Sequence, residues 1–394
     1  MDDAARDRIV AKLRLLVKQG RDRSELGPPA TDDALALFEA QHHVRVPSGY
    51  RRFLRELGEG GAGPGWGLVT LPSWADAWSD YGEPDPLSPS RAVALPDAGV
   101  LDPARLATQL RGFITLADQG AERWWLLEVS GPEAGRVWRW ESLESLPRPF
   151  AAFAEWYERW LDESIAGLDD TSFGAFRPGN DTELLLRSAD PNPDVRADTA
   201  GELGRRREPS DAVRAALQQL MRDPEPAVRA AALRHGEHAA DAADVLAGLN
   251  DPDVSVQRVA AFRMRRGSPR PSRADLEARL RSVDDPTVLS LLGQVLGEQG
   301  ELSVEVLGSV LNHDDPAVRS KAVAVLRLAT PPPQAEAALV RALDDPSAEV
   351  RQAAVEALPA WPGSEAKLRA MQTSERDPKV RAALLRALAP QADG

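Results

Sequence analysis

Two patterns of apolar positions divide the chain. Up to about position 165, stretches with helical spacing sit beside stretches that alternate or run apolar without a break. Asp32 to Gln41 carries Leu35, Leu37 and Phe38 behind a Thr31 or Asp32 cap, which predicts an amphipathic helix. A second helix is predicted after Pro47, with Tyr50, Phe53, Leu54 and Leu57 on its buried face and Gly58 just past its end. The run Gly58 to Gly67 predicts a tight loop dominated by backbone. "GFITLA", "ERWWLLEVS" and "GRVWRW" read as strands, with "SGPEAG" as the hairpin loop between the last two. A closing helix is predicted over about Pro149 to Ser164, with Phe150, Phe153, Trp156 or Tyr157, and Trp160 on one face. These elements make an α+β domain, an antiparallel sheet with flanking helices.

The second half repeats itself. Asp-Pro recurs at Asp190, Asp223, Asp251, Asp285, Asp315, Asp345 and Asp377, at intervals of 33, 28, 34, 30, 30 and 32 residues. A valine follows each time, and in five units an arginine follows the valine: Arg196, Arg229, Arg319, Arg351 and Arg381. The third and fourth units have Val254 or Val256, and Val288, without that arginine. Asp suits a helix N-cap and Pro the first turn. Val318, Ala322, Val325 and Ala329 then fall on one helical face, and a further amphipathic helix such as "QAEAALVRAL" lies between units. One helix pair cannot bury its apolar stripes alone. A repeat of this length therefore predicts an all-α solenoid of about seven units over residues 181–390.

Composition sharpens the division. Nine of the ten tryptophans precede position 161. Acidic residues outnumber basic ones by 28 to 19 before position 171 and by 33 to 29 after it, within a net charge of −13. Such a surface repels phosphate backbones and attracts basic partners, and it also keeps a protein soluble. The expected domains are residues 1–165 and 181–390, joined by a linker over 166–180 that is rich in Gly, Asp and Pro. Cysteine is absent, which excludes disulfides, thiolate nucleophiles and thiolate metal sites. There is no run of eighteen apolar residues, and Met1 to Gly20 reads as a charged helix without the regions of a secretory signal. A cytoplasmic location is expected, and the excess of arginine over lysine reads as the codon bias of a GC-rich bacterial genome.

Two resemblances rest on these residues. "FEAQHHVRVPSGYRRFL", "GEGGAGPGWGL", "WWLLEVSGPEAGRVW" and "PFAAFAEWYERWL", in this order over about 25–165, resemble the SUKH superfamily in its branch named for yeast cell-wall-synthesis regulators. Members usually have Asn before the paired glycines, where this chain has Glu59. They often carry a Gly-Cys-type turn where it has Asp118-Gln119-Gly120. The Asp-Pro and Val-Arg units resemble HEAT repeats. That resemblance implies a structural role for Asp190, Arg196, Asp223, Arg229, Asp315, Arg319, Asp345, Arg351, Asp377 and Arg381, each Arg pairing with an Asp in a turn of its own or an adjacent unit.

Candidate chemistry is sparse. No Gly-Lys-Ser/Thr follows the glycine loop, and the loop follows a helix, so neither phosphate-binding fingerprint fits. His42-His43 and His235-x-x-His238 are the histidine clusters, and no HExxH or GxSxG motif accompanies them. No metal and no cofactor is expected. Trp66, Trp74 and Trp78 lie in or after the glycine loop, with Glu59, Asp76 and Asp80 nearby. Tryptophans ringed by carboxylates suit a protein-binding hot spot, and they equally suit a cover over a sheet edge. Of the sheet tryptophans Trp124, Trp125, Trp138 and Trp140, half should face the core. On the solenoid, the second and sixth positions after each valine should point away from the packing stripe. Ala197, Gly201, Ala230, Arg234, Ser320, Ala324, Gln352, Glu356, Ala382 and Arg386 make that set mild and mixed.

Bacterial SUKH proteins are implied to be immunity proteins that bind and neutralise toxins, many of them nucleases with basic clefts. The resemblance therefore implies a protein partner such as a basic toxin, held by stoichiometric occlusion, without direct nucleic-acid or membrane binding and without catalysis. A regulatory scaffold is the alternative. An enzyme on HEAT-type repeats, a DNA glycosylase or a bilin lyase, is a third reading, which would need a basic inner face and an aromatic cluster.

Overall fold

The computed structural model describes residues 1–20, 24–71, 112–121, 123–141, 147–267, 269–329, 332–360 and 364–389. The chain divides into two units, residues 1–178 with 205–208, and residues 179–204 with 209–394.

In the first unit, α1 (Asp3–Lys18) starts on Asp2, whose carboxylate accepts the Ala5 N–H at 2.7 Å. Helix α2 (Asp32–His42) is capped by Thr31, which accepts from the Ala34 N–H at 3.1 Å, and α3 (Ser48–Glu56) buries Tyr50, Phe53 and Leu54. The four strands β1 (Phe113–Asp118), β2 (Trp124–Glu128), β3 (Arg136–Trp140) and β4 (Arg148–Ala152) pair antiparallel in that order. Helix α4 (Phe153–Ile165) closes the unit and packs on α1, to which Arg8–Glu158 and Lys12–Asp162 ion pairs, both 2.7 Å, tie it.

The fourth strand is a departure from the helix expected at Pro149. Pro147 and Pro149 hold this segment extended, and an edge strand tolerates a residue without an N–H, so the helix begins only at Phe153. The tryptophans depart as well. Trp124 and Trp125 are both buried, because β2 is covered on both faces, Trp140 of β3 is buried against Trp124 at 5.0 Å between ring centroids, and Trp138 is half-buried, donating its indole N–H to Glu128 at 3.1 Å. Trp125 meets Phe150, Trp156 and Phe173 at ring-centroid distances of 5.0, 5.6 and 5.2 Å. Phe173 falls within the stretch read as a linker. Its ring is buried in this aromatic cluster, so the core of the first unit runs past residue 165.

The second unit is an all-α array of seven helix pairs among the described residues. First helices are α5 (Asp181–Arg187), α7 (Asp211–Leu220), α9 (Ala242–Leu249), α11 (Arg273–Leu280), α13 (Val304–Leu311), α15 (Pro332–Ala342) and α17 (Glu365–Gln372). Second helices are α6 (Pro193–Gly204), α8 (Pro226–His235), α10 (Val254–Arg265), α12 (Pro286–Glu298), α14 (Pro316–Val325), α16 (Ala348–Ala357) and α18 (Pro378–Ala387). Each second helix packs along the next. The small residues of the repeat permit this close approach: a Cβ on Gly293 would press on Val325 of the following unit.

A ladder of ion pairs runs between these helices. Arg196 grips Asp223 with two bonds of 2.7 and 2.8 Å, and its third nitrogen returns to the Asp190 carbonyl of its own turn at 2.8 Å. Arg229 repeats this on Asp251, Arg319 on Asp345, and Arg351 on Glu375. The acceptor therefore sits five residues before the valine, which is not always the Asp of Asp-Pro. Asp190, Asp223, Asp251 and Asp345 turn the chain by accepting the N–H two residues on, at 2.8–2.9 Å, one step before the helix starts. Asp315 and Asp377 instead cap their helices, and the ladder position is held by His313 and Glu375. His313 follows from Leu289, which stands where an arginine would reach it. In the third unit Gln257 takes the arginine's bond to its own turn, and Arg258, one residue later, reaches Asp285 at 2.7 Å. Arg381 finds no carboxylate among the described residues, and Leu385, at the position of the buried Val355, is exposed.

Candidate docking surfaces

The glycine loop is built against the sheet edge. Gly61 bridges both Leu26 and Leu68, and Leu68 bridges Ala117 of β1. The N–H groups of Glu59, Gly61, Ala62, Trp66, Gly67, Leu68 and Val69 all donate to backbone carbonyls, at 2.8–3.2 Å. None of these donors is left to hold a phosphate. The glycines serve close backbone approach instead. Gly65 and Gly67 have φ of +62° and +96°, and a Cβ on either would collide with the carbonyl oxygen of Asp118 or Gly61. From below, the Tyr157 hydroxyl donates to the Ala62 carbonyl at 2.9 Å.

Trp66 stands on this fixed loop with 66% of its surface exposed. Its backbone N–H donates to the Asp118 carbonyl at 2.8 Å, and its indole edge lies near Gly120. Burial raises the carboxyl pKa values of both Asp118 and Asp170. The Gly120 N–H opposes that at Asp118, while the neighbouring Asp169 adds to it at Asp170. Glu59, in contrast, is turned to structure, accepting the Leu71 N–H at 3.2 Å. Trp74, Asp76, Trp78 and Asp80 lie outside the described residues.

Residues 29–159 match the model of the SMI1 / KNR4 family (SUKH-1), and residues 182–235 and 304–389 match that of HEAT repeats. The chain carries a SUKH-1 domain followed by HEAT repeats. The HEAT match passes over the stretch from α9 to α12, where Gln257 and Leu289 replace the ladder arginine. No curated protein matches the chain. Among solved structures, the Escherichia coli protein YibA is 16% identical, covering 60% of this chain and 88% of its own, with a TM-score of 0.39. The CpcE–CpcF complex of phycocyanin lyase from Nostoc sp. PCC7120 is 16% identical, covering 54% and 95%, with a TM-score of 0.28. Human deoxyhypusine hydroxylase is 19% identical, covering 55% and 85%, with a TM-score of 0.26.

The HEAT repeats present two further features. A cavity of about 700 Å³ opens between α13 and α15, walled by Val304, Leu311, Ala338 and Val350 with Glu305 and Arg341 at its polar side. Gly308 leaves the space beside it empty. The other feature was missed in the sequence. Phe262 of α10 is 51% exposed, and the Arg266 guanidinium lies 6.0 Å from its ring. It occupies the sixth position after Val256, in a unit without the Val-Arg pair, so counting from that pair passes over it. Among the described residues no group of His, Asp and Glu is arranged to hold a metal ion, and no helix is long and apolar enough to cross a membrane.

Proposed function

We propose that the chain is a bacterial cytoplasmic immunity protein that acts by binding and not by catalysis. In this reading the SUKH-1 domain docks on a basic protein toxin and occludes it stoichiometrically, while the HEAT repeats extend the binding surface. The observation that carries it is Trp66: a large, exposed side chain on a hydrogen-bonded loop backbone, beside the carboxylates of Asp118 and Asp170. A rigid aromatic anchor loses little entropy on docking. Carboxylates already short of water gain from an arriving cation. The acidity concentrated before position 171 has the same sign.

Co-expression with the toxin encoded beside the gene tests the reading. The wild-type chain is expected to co-purify with the toxin and restore growth. Trp66→Ala is expected to weaken the complex about tenfold or more, with an unchanged thermal midpoint. Unrelieved killing together with no co-purification overturns the proposal, and recovery of several housekeeping proteins in its place points to a scaffold.

A further inference from the structure

The inner stripe of α10 differs from that of every other second helix. At the sixth position after the repeat valine, the other units place Gly201, Arg234, Gln294, Ala324, Glu356 and Arg386, all small or polar. Here stands Phe262, half-exposed. Along α10 and its C-cap residue Arg266, the exposed residues at four-residue spacing are Val254, Arg258, Phe262 and Arg266, which fall on one face. Arg265 is exposed beside them, and this stripe holds no acidic residue. Because α8 and α12 pack on either side of α10, the repeat brings Arg234 and Gln294 to the register of Phe262.

The charges around Phe262 are only partly compensated: Arg258 is paired with Asp285, and Arg263 has Glu237 and Asp244 near it. Five arginines of the ladder have a carboxylate, Arg196, Arg229, Arg258, Arg319 and Arg351, while Arg381 at its end has none among the described residues. Arg234, Arg265 and Arg266 have none among the described residues. Arg266 lies 6.0 Å from the ring, Arg265 is three residues along the helix from Phe262, and the repeat register places Arg234 alongside, in a chain with a net charge of −13. Phe262 also lies in the stretch that the HEAT match passes over.

We propose that this stripe is a second docking surface, distinct from the Trp66 loop, and that it takes an acidic segment of a partner protein with one apolar anchor side chain. The anchor packs on Phe262, and Asp or Glu side chains on either side of it meet Arg234, Arg265 and Arg266. Single apolar contact ringed by charge pairs gives both affinity and register. The sign is opposite to that of the Trp66 surface, so the two sites accept different chemistry.

The full-length chain is titrated, by fluorescence anisotropy, into a labelled glutamate-rich peptide with one central phenylalanine. Saturable binding is expected, weakening as salt rises. Phe262→Ala and Arg266→Glu are each expected to weaken it about tenfold or more, while Trp66→Ala leaves it unchanged. Phe262 is half-exposed, and unaltered far-UV dichroism confirms that its variant folds. The proposal is overturned by any of four results: no binding, equal binding of an all-glutamate peptide, preferential binding of a single-stranded DNA oligonucleotide, or self-association of the chain that Phe262→Ala abolishes.

Discussion

At the residue scale, the glycine loop shows what a conformation demands of a side chain. Gly67 combines a φ of +96° with a backbone oxygen, that of Gly61, where its Cβ would stand. Both effects oppose substitution, and neither neighbour is a flexible side-chain tip that could yield. Gly67→Ala is therefore expected to destabilise the SUKH-1 domain by about 1–3 kcal/mol, the usual cost of a strained backbone conformation. Tryptophan fluorescence during urea unfolding reads this directly, because nine of the ten tryptophans lie in the first part of the chain. An unchanged midpoint would mean that the loop backbone shifts freely, and Trp66 would then lose its rigid support.

At the scale of elements, the period of the solenoid was legible in the sequence, and its register was not. Asp-Pro marks every unit, but its Asp serves different geometries: a turn that offers its carboxylate to the preceding arginine at Asp223, Asp251 and Asp345, a cap on the following helix at Asp315 and Asp377, and both at Asp285. The paired loss of Leu289 with His313, the shifted pair Arg258 with Asp285, and Glu375 in place of Asp377 reveal which is which. The strand Arg148–Ala152 was hidden for another reason. Its aromatic spacing fits a helix, and the prolines that forbid one lie at the predicted boundary, where either state is compatible. Helices α2 and α3 and the inner strands, by contrast, followed from periodicity because Leu35, Phe38, Tyr50, Phe53 and Leu54 are buried as their spacing requires, with Thr31 as the cap of α2. Phe262 was hidden because its unit lacks the arginine from which positions were counted. The ladder also has a measurable signature. Arg351 holds the Glu375 carboxyl down at about 2, well below its ordinary 4.5. A depressed folded-state pKa contributes stability that is full above pH 4.5 and is lost as pH falls towards 2. Glu375→Gln is expected to cost about 2 kcal/mol at neutral pH. Its gap from wild type should narrow across that window and close below it, as chemical denaturation at a series of pH values will show. A gap independent of pH would place the cost in packing and not in the ion pair.

At the scale of the whole molecule, the irregular third unit interrupts more than the sequence pattern. The apolar core of the HEAT repeats comes in two pieces that meet in α10: Val256 and Val259 belong to one, Ala260, Ala261 and Met264 to the other. Arg263, one helical turn beyond Val259, is buried at this seam, where burial lowers its pKa against the pull of Glu237 and Asp244. A repeat array transmits stability only through contacts between neighbours, so what Arg263 holds at this junction bears on both sides of it. Methionine has nearly the same reach without the charge. It would leave Glu237 and Asp244 without the guanidinium's pull, so Arg263→Met is expected to lower stability by about 1–3 kcal/mol in unfolding followed by far-UV dichroism in urea. The loss should appear as a lower midpoint. A midpoint raised by a similar amount would show that the cost of burying the guanidinium outweighs what its charge gains there.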